Sequence, residues 1–221
     1  MSKYLGSRED KELAALAILE SSIKQLASEF LGQSALNFYH ESELSAYLMA
    51  SLRNSPTVSE YANKIKMHLC HLEWPCFAGR SIDLVIWKPG SCKTAIEYWW
   101  DRSMCAKKVP LLAAVQVKRG PGRLASWANT DKDLTDLQNI YDSGALGWPV
   151  LYFLEWVDHG VQEHENDRKK YQAVQGMLKE WSMEASDRRV FLITRDKMGF
   201  AYPEGAWLVE PLPTGTKENI D

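Results

Sequence analysis

Two polar intrusions interrupt strongly apolar stretches of this 221-residue chain. Asp83 lies inside Ser-Ile-Asp-Leu-Val-Ile-Trp (residues 81–87), and Gln116 and Lys118 close Leu-Leu-Ala-Ala-Val-Gln-Val-Lys (residues 111–118). Charges are rarely buried in strands unless they are paired or hold a metal, so each of these groups needs compensating neighbours. Gln116 and Lys118 are two apart and project from one face of a strand. If the Asp83 strand lies alongside, a carboxylate, an amide oxygen and an ammonium converge. Such a trio suits a divalent cation holding a water near a phosphate, with the lysine steering or activating the nucleophile. The same residues also suit a buried Asp–Lys ion pair with structural hydrogen bonds, and on residue types alone both readings stand.

The elements that must position these groups are legible from periodicity. Helical spacing of Leu13, Leu16, Leu19, Ile23, Leu26 and Phe30 predicts a helix over 9–30 that stops at Gly32, and Leu44, Leu48 and Leu52 predict a second over 42–53. Strands are expected at 64–74, 81–87 and 109–118, the last almost wholly apolar, as when both faces are covered. A helix carrying Leu134, Leu137 and Ile140 follows, with Gly144 past its end, then a strand at 148–156, a helix at 166–181 and a strand at 189–194. This order predicts an α/β layer sandwich around one mixed sheet. The chain divides into an N-terminal helical extension (1–37), a core (38–210) and a polar tail (211–221). Residues 91–108 have no clear period and read as an insertion between two strands.

Composition sets the outer bounds. With 26 basic and 29 acidic residues, a net charge of −3 excludes a polybasic protein, and no apolar run approaches the roughly 20 residues that cross a bilayer. The N-terminus lacks the apolar stretch of a signal peptide, which predicts a cytoplasmic protein whose four cysteines stay reduced. His68, Cys70, His71 and Cys76 do not predict zinc, because His71 takes the opposite strand face from His68 and Cys70 and no paired C-x-x-C knuckle exists. The charge is uneven, however: residues 101–132 hold seven basic and two acidic side chains, a local +5 to which a polyanion would respond. Trp99 and Trp100 beside this patch could stack on bases, bury at a homodimer interface, or pack a lid onto the sheet.

Gly-Arg-Ser-Ile-Asp-Leu-Val-Ile-Trp followed by Ala-Ala-Val-Gln-Val-Lys-Arg-Gly resembles the PD-(D/E)XK nuclease superfamily, the restriction-endonuclease-like fold. The family pattern is a glutamate on a first helix, an aspartate on the second core strand, and acid-x-lysine on the third. The resemblance implies a three-layer sandwich with a central mixed sheet flanked by helices, covering about residues 38–194. It makes Asp83 the metal-binding aspartate and Lys118 the catalytic lysine. Gln116 takes the place of the second acid, which removes one negative charge but keeps an oxygen ligand. For the helix glutamate, Glu41 lines up with Leu44, Leu48 and Leu52, whereas Glu43 turns away, so Glu41 is the expected ligand.

The resemblance thus implies a Mg²⁺-dependent (or Mn²⁺-dependent) endonuclease acting on DNA. Glu41, Asp83, Gln116 and the Val117 carbonyl would hold the metal, and Lys118 would position the attacking water. Arg80, just before the Asp83 strand, is placed to contact a phosphate. Arg119 and Arg123, held at the rim by Gly120-Pro121-Gly122, are expected to meet the phosphates flanking the scissile one. Lys107 and Lys108 precede the same strand at its opposite end, roughly 33 Å away if extended, and should matter less. The competing expectation, favoured by Gln116, is a degenerate nuclease fold that binds nucleic acid or protein without cleaving it.

Overall fold

The computed structural model describes residues 8–32, 41–55, 70–75, 81–88, 111–120, 127–144, 148–157, 165–194, 197–203 and 205–211. Helices α1 (Arg8–Gly32) and α2 (Glu41–Asn54) precede strands β1 (Cys70–Pro75), β2 (Ser81–Trp87) and β3 (Leu111–Gly120). Helix α3 (Trp127–Asp142) leads to β4 (Val150–Val157), α4 (Glu165–Met183) to β5 (Arg188–Ile193), and β6 (Lys197–Ala201) and β7 (Trp207–Pro211) close the sheet. The seven strands lie side by side in chain order. Neighbours are antiparallel from β1 to β3, parallel from β3 through β4 to β5, and antiparallel again to β7. The two parallel steps are those spanned by helices, because only a long crossover returns a chain in the same direction.

Alternation along β4 assigns the helices to two faces. The Tyr152 hydroxyl donates to Glu20 of α1 at 2.9 Å, whereas Glu155, three residues on and so on the opposite face, accepts from Thr130 of α3 at 3.0 Å. Helix α2 packs on α1 and over β1, β2 and β3, while α4 packs on α3 and over β5 and β6. Both sheet faces are therefore covered, and β3, β4 and β5 are buried nearly throughout, as their unbroken apolar sequences predict. The stripe Leu44, Leu48 and Leu52 is buried, as its spacing requires. Among the described residues no helix is long and apolar enough to cross a membrane.

The expected elements are present within two residues at most ends, residues 64–69 of the expected strand at 64–74 lying outside the described residues, with two differences. The strand of Lys118 runs on through Arg119 to Gly120, paired with β4, so Lys118 stands inside the ladder and not at its end. The hairpin β6–β7 was not expected, because its strands are five residues each and a glycine sits in the middle of one. Gly199 is there for space: a methyl group at that position would overlap the Trp207 indole that lies over it. Gly199→Ala is expected to lower stability by about 1–3 kcal/mol through displacement of that ring, seen as a lower urea midpoint with an unchanged slope. The insertion 91–108 and the tail beyond Pro211 lie outside the described residues.

Candidate active site

The site begins where two strands part. The β2–β3 ladder ends at Leu84 opposite Val115, yet β2 continues pairing with β1 to Ser81 and β3 with β4 to Gly120. The next residues, Asp83 and Gln116, face each other across the opening through their side chains. Asp83 Oδ2 accepts hydrogen bonds from the Gln116 side-chain amide at 2.7 Å and from the Val117 backbone N–H at 2.6 Å. The Asp83 carboxylate thus replaces the ladder bond that separation of the strands would cost Val117. In an extended strand the N–H and C=O of one residue leave by the same edge, so the Val117 carbonyl also faces the gap.

Lys118 lies two residues further along β3 on the Gln116 face. Its ammonium is 2.9 Å from Asp133 Oδ2 of α3 and 3.6 Å from Glu41 Oε1, the first residue of α2. The lysine therefore links residues of the two helical layers. Burial by itself lowers its pKa, but the hydrogen bond to Asp133 and the charges of Glu41 and Asp133 outweigh this, and the net effect is a pKa raised above the ordinary value. A lysine held in that state is a fixed cation at neutral pH. It can orient a water or a phosphate oxygen, but it is a poor proton acceptor.

Beside Lys118, on β4, is a buried acid outside the expected site. Glu155 is the direct partner of Lys118 in the parallel β3–β4 ladder and is fully buried. Its Oε2 accepts from Thr130, while Oε1 has no hydrogen-bond partner among the described residues. Desolvation raises its pKa to about 7, although the Thr130 hydrogen bond and the Lys118 charge both pull it down. A signal existed: Glu155 is the lone charge in Trp-Pro-Val-Leu-Tyr-Phe-Leu-Glu-Trp (148–156), the same kind of intrusion as Asp83. Asp133 was also legible, since Thr130, Asp133, Leu134 and Leu137 continue one face of α3.

The predicted residues are thus brought into two groups, Asp83 with Gln116 and Val117, and Glu41 with Lys118, linked by the common face of Gln116 and Lys118 on β3. Glu43 is exposed, as the choice between the two glutamates anticipates. Arg80, Arg123, Lys107, Lys108, Trp99, Trp100 and the side chain of Arg119 lie outside the described residues. Among the described residues, no three His, Cys, Asp or Glu side chains form a group able to hold a metal ion. The donors facing the gap are nevertheless all oxygen-bearing and include an amide and a carbonyl, the chemistry that Mg²⁺ and Mn²⁺ take. One rearrangement is needed: Gln116 turns its nitrogen to Asp83, and the amide must rotate to offer its oxygen beside that carboxylate. Comparison of the chain with protein-family models, curated proteins and solved structures gives no match.

Proposed function

We propose that this chain is a metal-dependent nuclease of restriction-endonuclease-like fold that hydrolyses phosphodiester bonds in DNA as an endonuclease. The observation that carries the reading is the parting of β2 and β3 around Asp83, Gln116 and Val117, with the Lys118 cation two residues away on the same face. Asp83, the Gln116 amide oxygen and the Val117 carbonyl would hold the ion, with Glu41 contributing from α2. A bound Mg²⁺ or Mn²⁺ would supply Lewis acidity at a phosphoryl oxygen. Lys118, anchored by Asp133 and Glu41, orients the attacking water and offsets the charge that develops on the phosphate. The polar substitution at Gln116 leaves this site one negative charge poorer than an acid-x-lysine pair.

A second reading has its own support. The Gln116 nitrogen rests on Asp83 and Lys118 is tied to two acids, an arrangement that also suits an inert binding module on the same fold. Incubation of supercoiled plasmid and branched DNA with Mg²⁺ or Mn²⁺ distinguishes the two. Wild type is expected to cleave, and Asp83→Ala and Lys118→Ala are not; equal cleavage by all three proteins overturns the nuclease reading.

The basic residues following the site give a separate expectation. Arg119→Ala with Arg123→Ala should weaken DNA binding and reduce the slope of log affinity against log salt by about one or two units, without altering sequence preference. The Lys107→Ala, Lys108→Ala pair should do less. The reverse ranking in a salt-dependent binding titration contradicts placement of the substrate beyond the C-terminal half of β3.

A further inference from the structure

Three carboxyl groups from three elements surround the region of one ammonium: Glu41 of α2 and Asp133 of α3 as direct ion-pair partners, and Glu155 of β4 as the neighbour across the ladder. Glu155 differs from the others in being fully buried, and its Oε1 has no hydrogen-bond partner among the described residues. An acid in that position costs stability, and an apolar residue would pack there in keeping with the rest of β4. Its other oxygen takes the hydroxyl of Thr130. Thr130 and Asp133 are three apart on α3 and share a helix face, so this bond fixes the turn from which Asp133 reaches Lys118.

From this geometry we infer that Glu155 is a positioning residue for Lys118, acting through its own carboxylate beside the lysine and through the Thr130 bond that sets Asp133. The inference rests on the nuclease reading of Lys118 for its catalytic consequence, but not for the coupling itself. It assigns to β4 a member of the site that the Asp-and-Gln-x-Lys pattern does not contain.

The experiment uses full-length wild type, Glu155→Gln, Lys118→Met and the double variant. Gln is isosteric and can still accept from Thr130, so Glu155→Gln removes the charge and little else. Urea unfolding at pH 8 should be non-additive: Lys118→Met lowers the midpoint in the wild type and lowers it by less than half as much in the Glu155→Gln background. Lys118→Gln serves the same cycle if the methionine variant does not fold. In Mn²⁺-dependent cleavage, Glu155→Gln should reduce kcat about tenfold with KM within about twofold, as losses of outer supporting groups do. Additive unfolding overturns the inference whatever the activity. Coupled unfolding with unchanged kcat also overturns it, leaving Glu155 a structural acid. Coupled unfolding in a wild type that cleaves nothing supports the pairing of Glu155 with Lys118 and instead removes the nuclease reading.

Discussion

Lys118→Met is expected to slow single-turnover cleavage of duplex DNA by about a hundred- to a thousandfold at saturating DNA, the usual effect of removing one preorganised charge from a phosphoryl or acyl site. The loss should fall on kcat, with DNA affinity changed only a few-fold, because one cation among the many phosphate contacts of a DNA-binding protein carries little of the binding. Lys118→Arg should restore only part of the rate, since the guanidinium fork is wider and would meet Glu41 and Asp133 with different geometry. The raised pKa of Lys118 adds a condition. If the ammonium works as a fixed cation, the cleavage rate does not climb with lysine deprotonation between pH 7 and pH 9. A log rate that rises with unit slope over that whole range, and loses the slope in Lys118→Met, would make Lys118 a general base and contradict the role given to it.

Glu155→Gln should make the protein more stable, and the gain should depend on pH. Below the ordinary glutamate pKa of 4.5, the folded and unfolded chains both keep the Glu155 proton, and the residue has no effect on the balance. Between 4.5 and about 7 the unfolded chain has lost its proton while the folded one retains it, so stability falls as pH rises. Above pH 7 both states are ionised and the deficit is constant, about 3 kcal/mol for a shift of this size. Denaturant unfolding of wild type and Glu155→Gln should therefore coincide near pH 4 and separate to at most about 3 kcal/mol at pH 8. Burial sets the upward shift, the Thr130 hydrogen bond and the Lys118 charge oppose it, and the Asp133 charge adds to it. Equal stability of the two chains at pH 8 would mean that the carboxylate is better solvated or better paired than its surroundings here indicate. A residue whose replacement stabilises the fold yet slows the reaction fits the pattern of function maintained at the expense of stability.

The sequence was most informative where one physical rule acted alone. Leu44, Leu48 and Leu52 determine the buried face of α2, and the same stripe selects Glu41 over Glu43. The apolar run around Gln116 and Lys118 correctly announces a strand covered on both sides. Two things escaped. The β6–β7 hairpin consists of five-residue strands, too short for alternation to rise above turn chemistry, with Gly199 placed for Trp207 and not for the local backbone. Glu155 escaped because the rule applied to Asp83, that a lone charge in an apolar strand needs a partner, was not extended to β4. Its ladder neighbour is Lys118, 37 positions earlier in the chain, and that proximity depends on the parallel β3–β4 register. Nor could spacing reveal that Asp83 takes the Val117 N–H, since that bond exists only because β2 and β3 part at Leu84.

The claim that this parting is a cation-holding catalytic centre is tested most directly by calorimetric titration of Mn²⁺ into the metal-free protein. One site per chain is expected, filled at millimolar Mn²⁺ or below, lost in Asp83→Ala and tightened in Gln116→Glu, where a second carboxylate faces the gap. Absence of binding at millimolar Mn²⁺, or binding that Asp83→Ala leaves unchanged, would contradict it and leave the fold as a binding module.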